Sequence, residues 1–240
     1  MSQACGANTD CISGICAAGT CSSGLPSSGL IGYWNFEQAS PTVTDLSGNG
    51  NNGTNFGASQ GPGKLGQGYT FTNGDCIGIP NSTSLQMIGG SSLTMMAWGN
   101  YSGGCSSDRG EIINKENTYE SAAACDPGNE YQNAIQTTTS GGWSWAGTGG
   151  ITLNTWHLFA TTWDGTTALE YIDGVQVSTR AIPGVLSATA TGLGIGCRSV
   201  SVTGSTAGAG SYWIGSIDEV SIYNRALAPS EITTYYNATK

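Results

Sequence analysis

Three groups of side chains in this 240-residue sequence have the types and spacing for chemistry. The first is Asp218, which alternates in phase with Val220 and Ile222 in the run Ser216 to Tyr223. An ionised carboxylate on the apolar side of a strand is costly unless it is paired, hydrogen-bonded or on a metal. Asp218 is therefore expected either at the strand's rim, capped by backbone amides, or as a ligand. The second group is the run Asp45-Leu-Ser-Gly-Asn-Gly-Asn-Asn52, whose closely spaced oxygen donors suit a hard cation. The same run also reads as an Asx-turn loop whose side chains bond their own backbone. The third is Trp143 and Trp145, flanked by glycines and placed at i and i+2 on one face of a short strand. They either cover the sheet interior or line a ligand-binding face, together with Tyr131 and Gln136.

Other chemistry finds no support. Glycoside hydrolysis needs two carboxyl groups flanking the scissile bond, which on one strand would be acids two and four residues apart. The nearest clusters are Asp108/Glu111, Glu116/Glu120 and Asp218/Glu219, and adjacent strand residues point to opposite faces. The sole histidine, His157, sits in a Trp-His strand entry, where it reads as a packed or hydrogen-bonding side chain rather than a base. No serine stands in a nucleophile-elbow pattern. No catalytic residue is expected.

The elements that position these groups are strands. Between Trp156 and Trp163, Trp156, Leu158 and Ala160 share one face and His157, Phe159 and Trp163 the other. Asp164-Gly165 and Asp173-Gly174 follow as tight turns, a pair that requires positive φ at both central residues. Candidate strands are 31–36, 68–71, 76–79, 93–101, 110–115, 131–136, 156–163, 168–172, 175–179, 192–196, 212–214 and 216–223. Only 228–236 reads as a helix, with Pro229-Ser-Glu as its first turn. The count suits an all-β, two-sheet antiparallel sandwich of jelly-roll type.

Composition agrees: 38 glycines and 10% charged residues favour short strands and tight turns. Seven basic against 16 acidic residues, net −9, argues against nucleic acid. No segment is long and apolar enough to span a bilayer. Of eight cysteines, Cys5, Cys11, Cys16 and Cys21 crowd residues 1–24. They lack the C-x-x-C spacing of zinc sites and fit a disulfide-stapled module of an oxidising compartment. A Ser/Gly/Pro linker at 25–29 separates it from one domain at 30–238. Cys76, Cys105, Cys125 and Cys197 allow three pairings, of which 105–125, closing a polar insertion, leaves 76–197.

The ordered motifs Gly32-Tyr-Trp-Asn-Phe-Glu37, Asp45 to Thr54, Gly63-Lys-Leu-Gly-Gln-Gly68, Asp75 to Pro80, Leu93 to Trp98, the Trp156 block and Ile217 to Leu227 carry a resemblance. The chain resembles bacterial laminin-G-like, or pentraxin-like, domains of the concanavalin A-like lectin/glucanase superfamily. The resemblance spans about residues 29–236; Cys76 and the cysteine-bearing insertion 102–130 depart from it. It implies a concanavalin A-like jelly roll, a rim calcium and binding without catalysis. On that basis Asp45 and Asp218 are expected as calcium ligands, with Asn49 or Asn51 supplying a carbonyl and Glu37 as a further candidate. Trp34, Trp98, Trp156 and Trp163 occupy family motif positions and are expected in the core. The expected function is a secreted or cell-surface carbohydrate-binding or adhesion module whose partner is a glycan or an extracellular protein. The alternatives are an assembly subunit contacting copies of itself in a surface layer or filament, and, more remotely, a polysaccharide-active enzyme.

Overall fold

A computed structural model describes residues 16–17, 20–21, 24–104, 109–125, 129–148, 150–199 and 210–240. Its strands are, in chain order, β1 (Cys16–Ala17), β2 (Thr20–Cys21), β3 (Leu30–Trp34), β4 (Thr42–Val43), β5 (Gly53–Phe56), β6 (Ser59–Pro62), β7 (Gln67–Phe71), β8 (Cys76–Ile79) and β9 (Leu93–Tyr101). They continue with β10 (Arg109–Lys115), β11 (Tyr119–Ala124), β12 (Tyr131–Gln136), β13 (Trp143–Thr148), β14 (Trp156–Trp163), β15 (Thr167–Ile172), β16 (Val175–Ala181), β17 (Leu193–Ile195) and β18 (Gly215–Tyr223). Two helices, α1 (Thr83–Gln86) and α2 (Pro229–Thr239), complete the described elements.

Two antiparallel sheets form the expected sandwich. The front sheet runs β13-β12-β11-β10-β17-β8-β5-β4, and the back sheet β16-β15-β14-β9-β18-β7-β6 with β3 also paired to β18. Strand alternation sorts side chains between two cores. Phe159 and Trp163 of β14 enter the core between the sheets with Ile113, Tyr131, Trp213 and Ile222. Leu158 and Ala160 face the other way, into a second core with Met96, Trp98, Ile232 and Tyr235 beneath α2. Trp34, Trp98 and Trp163 are at most 1% exposed, as their motif positions imply, whereas Trp156, at the start of β14, is only partly buried against the second core. Trp98 is further enclosed by Tyr236, stacked at 5.8 Å between centroids. Helix α2 starts where expected because Pro229 fixes its first turn. Glu231 accepts from the Ala228 N–H at 2.8 Å while Arg225 grips it bidentately at 2.6 and 2.8 Å.

Several expectations need correction. The segment 212–214 is not a strand, and β4, β5, β6 and β11, together with β1, β2, β13 and α1, lie outside the candidate ranges. The first two have only two and four residues, too short for periodicity to register. β11 reads Tyr-Glu-Ser-Ala-Ala-Ala, a composition with no strand alternation. Asp173-Gly174 has both φ values positive, 54° and 76°, as predicted, but Asp164 does not share that conformation. Its carboxylate instead caps a wider turn, accepting from the Thr166 and Thr167 N–H groups at 2.9 and 2.8 Å. The phase of Asp218 also differs. A bulge in β18, with Glu219 at φ 53°, shifts the register between Asp218 and Ser221. Asp218 lies opposite Trp98 on the helix side, whereas Ile217, Val220 and Ile222 enter the core between the sheets.

Cys76 and Cys197 form a disulfide that ties the start of β8 to the chain just beyond β17, with Cα atoms 5.3 Å apart. That is the pairing left over by the expected 105–125 bridge. Cys125 is disulfide-bonded as well; Cys105 lies outside the described residues, as do the pairings expected for Cys5, Cys11, Cys16 and Cys21. Of that amino-terminal segment, the described part is the antiparallel pair β1–β2.

Candidate functional site: an aromatic face and an acid corner

Antiparallel partners on a sheet share a face, so the register of β12 and β13 decides where the tryptophans point. Trp143 lies opposite Gln136, Trp145 opposite Ala134, and Gly147 opposite Gln132. Tyr131, Asn133 and Ile135 occupy the alternate positions and face inward, Tyr131 stacking on Phe159 at 4.9 Å and bonding the Thr161 hydroxyl. The two tryptophans are therefore on the outer face of the front sheet. They are half-buried, with ring centroids 6.1 Å apart. Of the four residues proposed as a ligand face, Trp143, Trp145 and Gln136 come together there and Tyr131 belongs to the core.

The same face holds groups that sequence reasoning missed. The Arg109 guanidinium lies 3.9 Å over the Trp145 ring and 3.0 Å from Glu120. A cavity of about 570 Å³ opens beside Trp145, between the edge strands β13 and β16, lined by Arg109, Glu130, Gln132, Ser178 and Arg180 among others. No single-strand motif could have announced it, because its members come from four strands and the β12 entry, and only cross-strand register joins them. Beneath the face lies a layer of buried acids. Burial, reinforced by neighbouring Glu120, pushes the Glu111 carboxyl well above the usual range, and burial raises Glu120 to about 7. Ser199 N–H caps Asn114 and Arg198 pairs with Glu116 across these strands. Both acids are fully buried.

The expected metal ligands fall into two places, at opposite ends of Tyr33. At its backbone end, Asp45 accepts four hydrogen bonds: from Tyr33 N–H, Ser47 N–H, Ser47 hydroxyl and Asn51 N–H, at 3.0, 2.8, 2.9 and 2.8 Å. That is the Asx-turn arrangement, and it fills the lone pairs of both carboxylate oxygens. Asn51 spends its amide on Ile31 and Ser84, and exposed Asn49 bonds the Leu30 carbonyl. At the phenol end, Tyr33 and Tyr235 donate to Glu219 at 2.7 and 3.2 Å. Asp218 accepts from Leu65 N–H at 2.9 Å and Glu219 N–H at 2.8 Å, and Glu37 accepts from Gln67 N–H at 3.2 Å.

Glu37 and Asp218 thus converge on the turn between β6 and β7. Two glycines there make room for them. A Cβ on Gly63 would sit 2.6 Å from Asp218 Oδ2 and 2.7 Å from the Gln67 carbonyl, and one on Gly66 would collide with the Glu37 carboxylate. Burial pushes Asp218 well above the usual carboxylate range, adjacent Glu219 adding to the shift, and burial also raises Glu37 and takes Glu219 to about 8. Among the described residues no three His, Cys, Asp or Glu side chains are arranged to hold a metal. A cation at this corner would need backbone carbonyls such as that of Gln67. His157 donates through Nδ1 to the Asp173 carboxylate at 2.7 Å, and Asp173 also accepts from Leu158 N–H, an arrangement that clamps the β15–β16 turn onto β14.

A jelly roll of two antiparallel sheets, with an aromatic and amide-bearing outer face, defines a β-sandwich of the lectin and glucanase class. The chain belongs to the concanavalin A-like lectin/glucanases superfamily, matching its laminin-G-type family model over residues 71–233. No curated protein sequence matches it. Among solved structures, it is similar to the binding domain of Paraclostridial Mosquitocidal Protein 1, with 16% identity, a TM-score of 0.66 and coverage of 88% of this chain and 52% of that one. It is also similar to domain 4 of AbnA, a GH43 extracellular arabinanase from Geobacillus stearothermophilus in complex with arabinotriose (17% identity, TM-score 0.62, covering 88% and 98%). A third likeness is to the binding domain of botulinum neurotoxin DC in complex with rat synaptotagmin II, at 12% identity and a TM-score of 0.66, covering 89% and 52%. The chain spans about half the length of the two toxin domains and nearly all of the arabinanase domain. Identities this low establish the fold. No helix among the described residues is long and apolar enough to cross a membrane.

Proposed function

We propose that this domain is a non-catalytic carbohydrate-binding module of an extracellular protein, and that it holds its glycan on the outer face of the front sheet at Trp143 and Trp145. The observation that carries this reading is the pair of half-buried indoles beside Gln132, Gln136 and the cavity at Arg109. Flat apolar rings with a few convergent polar groups suit a sugar, which offers C–H faces and a hydroxyl rim. The arabinanase domain solved with arabinotriose shares the fold and nearly the full length, which supports the same class of ligand. Among the described residues Glu130 is the acid that lines this cavity, which supports binding rather than hydrolysis. The disulfide Cys76–Cys197 supports an oxidising, extracellular setting.

Affinity electrophoresis through gels containing a panel of plant and microbial polysaccharides tests this. The wild-type chain is expected to be retarded by at least one, and the double variant Trp143→Ala, Trp145→Ala to migrate as in the blank gel. Retardation that survives both substitutions would move the site elsewhere. Retardation by none, with concentration-dependent self-association, would favour the assembly role.

We further propose that a divalent cation, calcium by its oxygen donors, sits at the Glu37–Asp218 corner rather than on the Asp45 loop. Support comes from the two carboxylates aimed at one glycine-cradled turn and from the buried, unbonded Oε1 of Glu219 behind them. A cation there would neutralise carboxylates that burial otherwise disfavours. Added calcium is expected to raise the melting temperature by several degrees, and Asp218→Asn to remove that dependence. A calcium response unchanged in Asp218→Asn would reject the assignment.

A further inference from the structure

The cavity beside Trp145 has a charge pattern out of keeping with the rest of the chain. The protein carries seven basic residues against 16 acidic, yet two of its four arginines, Arg109 and Arg180, line this one opening, against a single acid, Glu130, among the described residues. The two arginines are held differently. Arg109 is fixed by Glu120 and by the Trp145 ring. Arg180, on edge strand β16, is exposed, and among the described residues no hydrogen bond or ion pair engages its guanidinium. Gln132 opposite adds an amide donor. A guanidinium is a planar fork of donors suited to carboxylate or sulfate oxygens. A neutral sugar would leave that fork without a charged partner.

Resting on the carbohydrate-binding reading above, we propose that this cavity selects an acidic sugar: a glycan docked at the tryptophan pair places a ring carboxylate or sulfate against Arg180. Trp145 and Gln132 hold the ring, and Arg180 reads the charge. Arg180 has one other duty, since its charge draws the buried Glu170 carboxyl down against the effect of burial. A test must therefore separate binding from folding.

Isothermal titration of the full chain with an oligogalacturonide, its methyl ester and a sulfated galacto-oligosaccharide supplies the test. At least one acidic oligomer is expected to bind about 10- to 100-fold more tightly than its neutral counterpart, the scale of a charged hydrogen bond. The oligogalacturonide arm identifies a carboxylate and the galacto-oligosaccharide arm a sulfate. In Arg180→Ala the preference is expected to vanish while affinity for the neutral oligomer stays, and Arg180→Lys to keep part of it. Added salt is expected to shrink the preference, and melting curves check that each variant is folded. Equal affinity for acidic and neutral oligomers, or a preference that survives in folded Arg180→Ala, would overturn the selection of acidic sugars and leave the sugar platform standing. Binding of no sugar by the wild-type chain in this titration and in the polysaccharide gels would overturn both.

Discussion

Replacing Cys76 and Cys197 together by serine is expected to lower the stability of the domain by about 2–5 kcal/mol. The bridge joins residues 121 apart in sequence, so it removes a large share of the unfolded chain's loop entropy. It also fastens adjacent strands of the front sheet, the pair β8 and β17, which meet through only three residue pairs. Both cysteines are fully buried, so paired serine hydroxyls would have to be desolvated as well. Urea denaturation of oxidised wild type, reduced wild type and the double variant checks this. The double variant should show a lowered midpoint, and reduced wild type one at least as low, because reduction also opens the bridge at Cys125. An unchanged midpoint would mean that the strand pair is held by packing alone.

The second large effect is a stability that falls as pH rises. Glu120 and Glu170 are each pushed up to about 7, in both cases chiefly by burial. A carboxyl raised in the folded state keeps its proton longer there than in the unfolded chain. Its contribution is complete below the ordinary value of 4.5 and is lost as pH climbs through about 7. Taken alone, a shift of this size corresponds to roughly 3 kcal/mol per group. Glu170 is 1% exposed and accepts from the Asn133 amide in the interior, so Glu170→Gln keeps the shape without the charge. Denaturation midpoints at about pH 5 and about pH 8 should differ less in Glu170→Gln than in wild type. The same difference in both would show that the residue ionises without cost.

Much of this architecture was legible in residue order because β-strands announce themselves by alternation. Strands β9, β12 and β14 have the predicted limits. The double core around β14 also follows directly from the split of Leu158 and Ala160 from Phe159 and Trp163. What residue order does not encode is a register shift. Glu219 at positive φ adds one residue to β18 and turns Asp218 to the opposite face from Val220. No periodicity carries that shift, which leaves Asp218 buried and accepting from the Leu65 and Glu219 N–H groups.

The candidate site was legible in the same partial way. The i, i+2 spacing put Trp143 and Trp145 on one face, but which face depended on pairing with β12, whose Tyr131 went inward instead. Arg109 and Arg180 lie 71 residues apart by number and line one opening only because the Arg109 side chain reaches from β10 to the Trp145 ring on edge strand β13, beside which β16 lies. In the Asp45 loop, composition could not separate a cation site from an Asx turn. The structure shows four hydrogen bonds to the Asp45 carboxylate, the contacts of an Asx turn.

The central claim is that the outer face at Trp143 and Trp145 holds a sugar. A crystal structure of the chain with an oligosaccharide chosen from the gel panel tests it most directly. The account predicts a sugar ring packed against the Trp143–Trp145 pair, with hydroxyls bonded to Gln132 or Gln136. A ring bound on another face of the sandwich, with both indoles uncontacted, would contradict it.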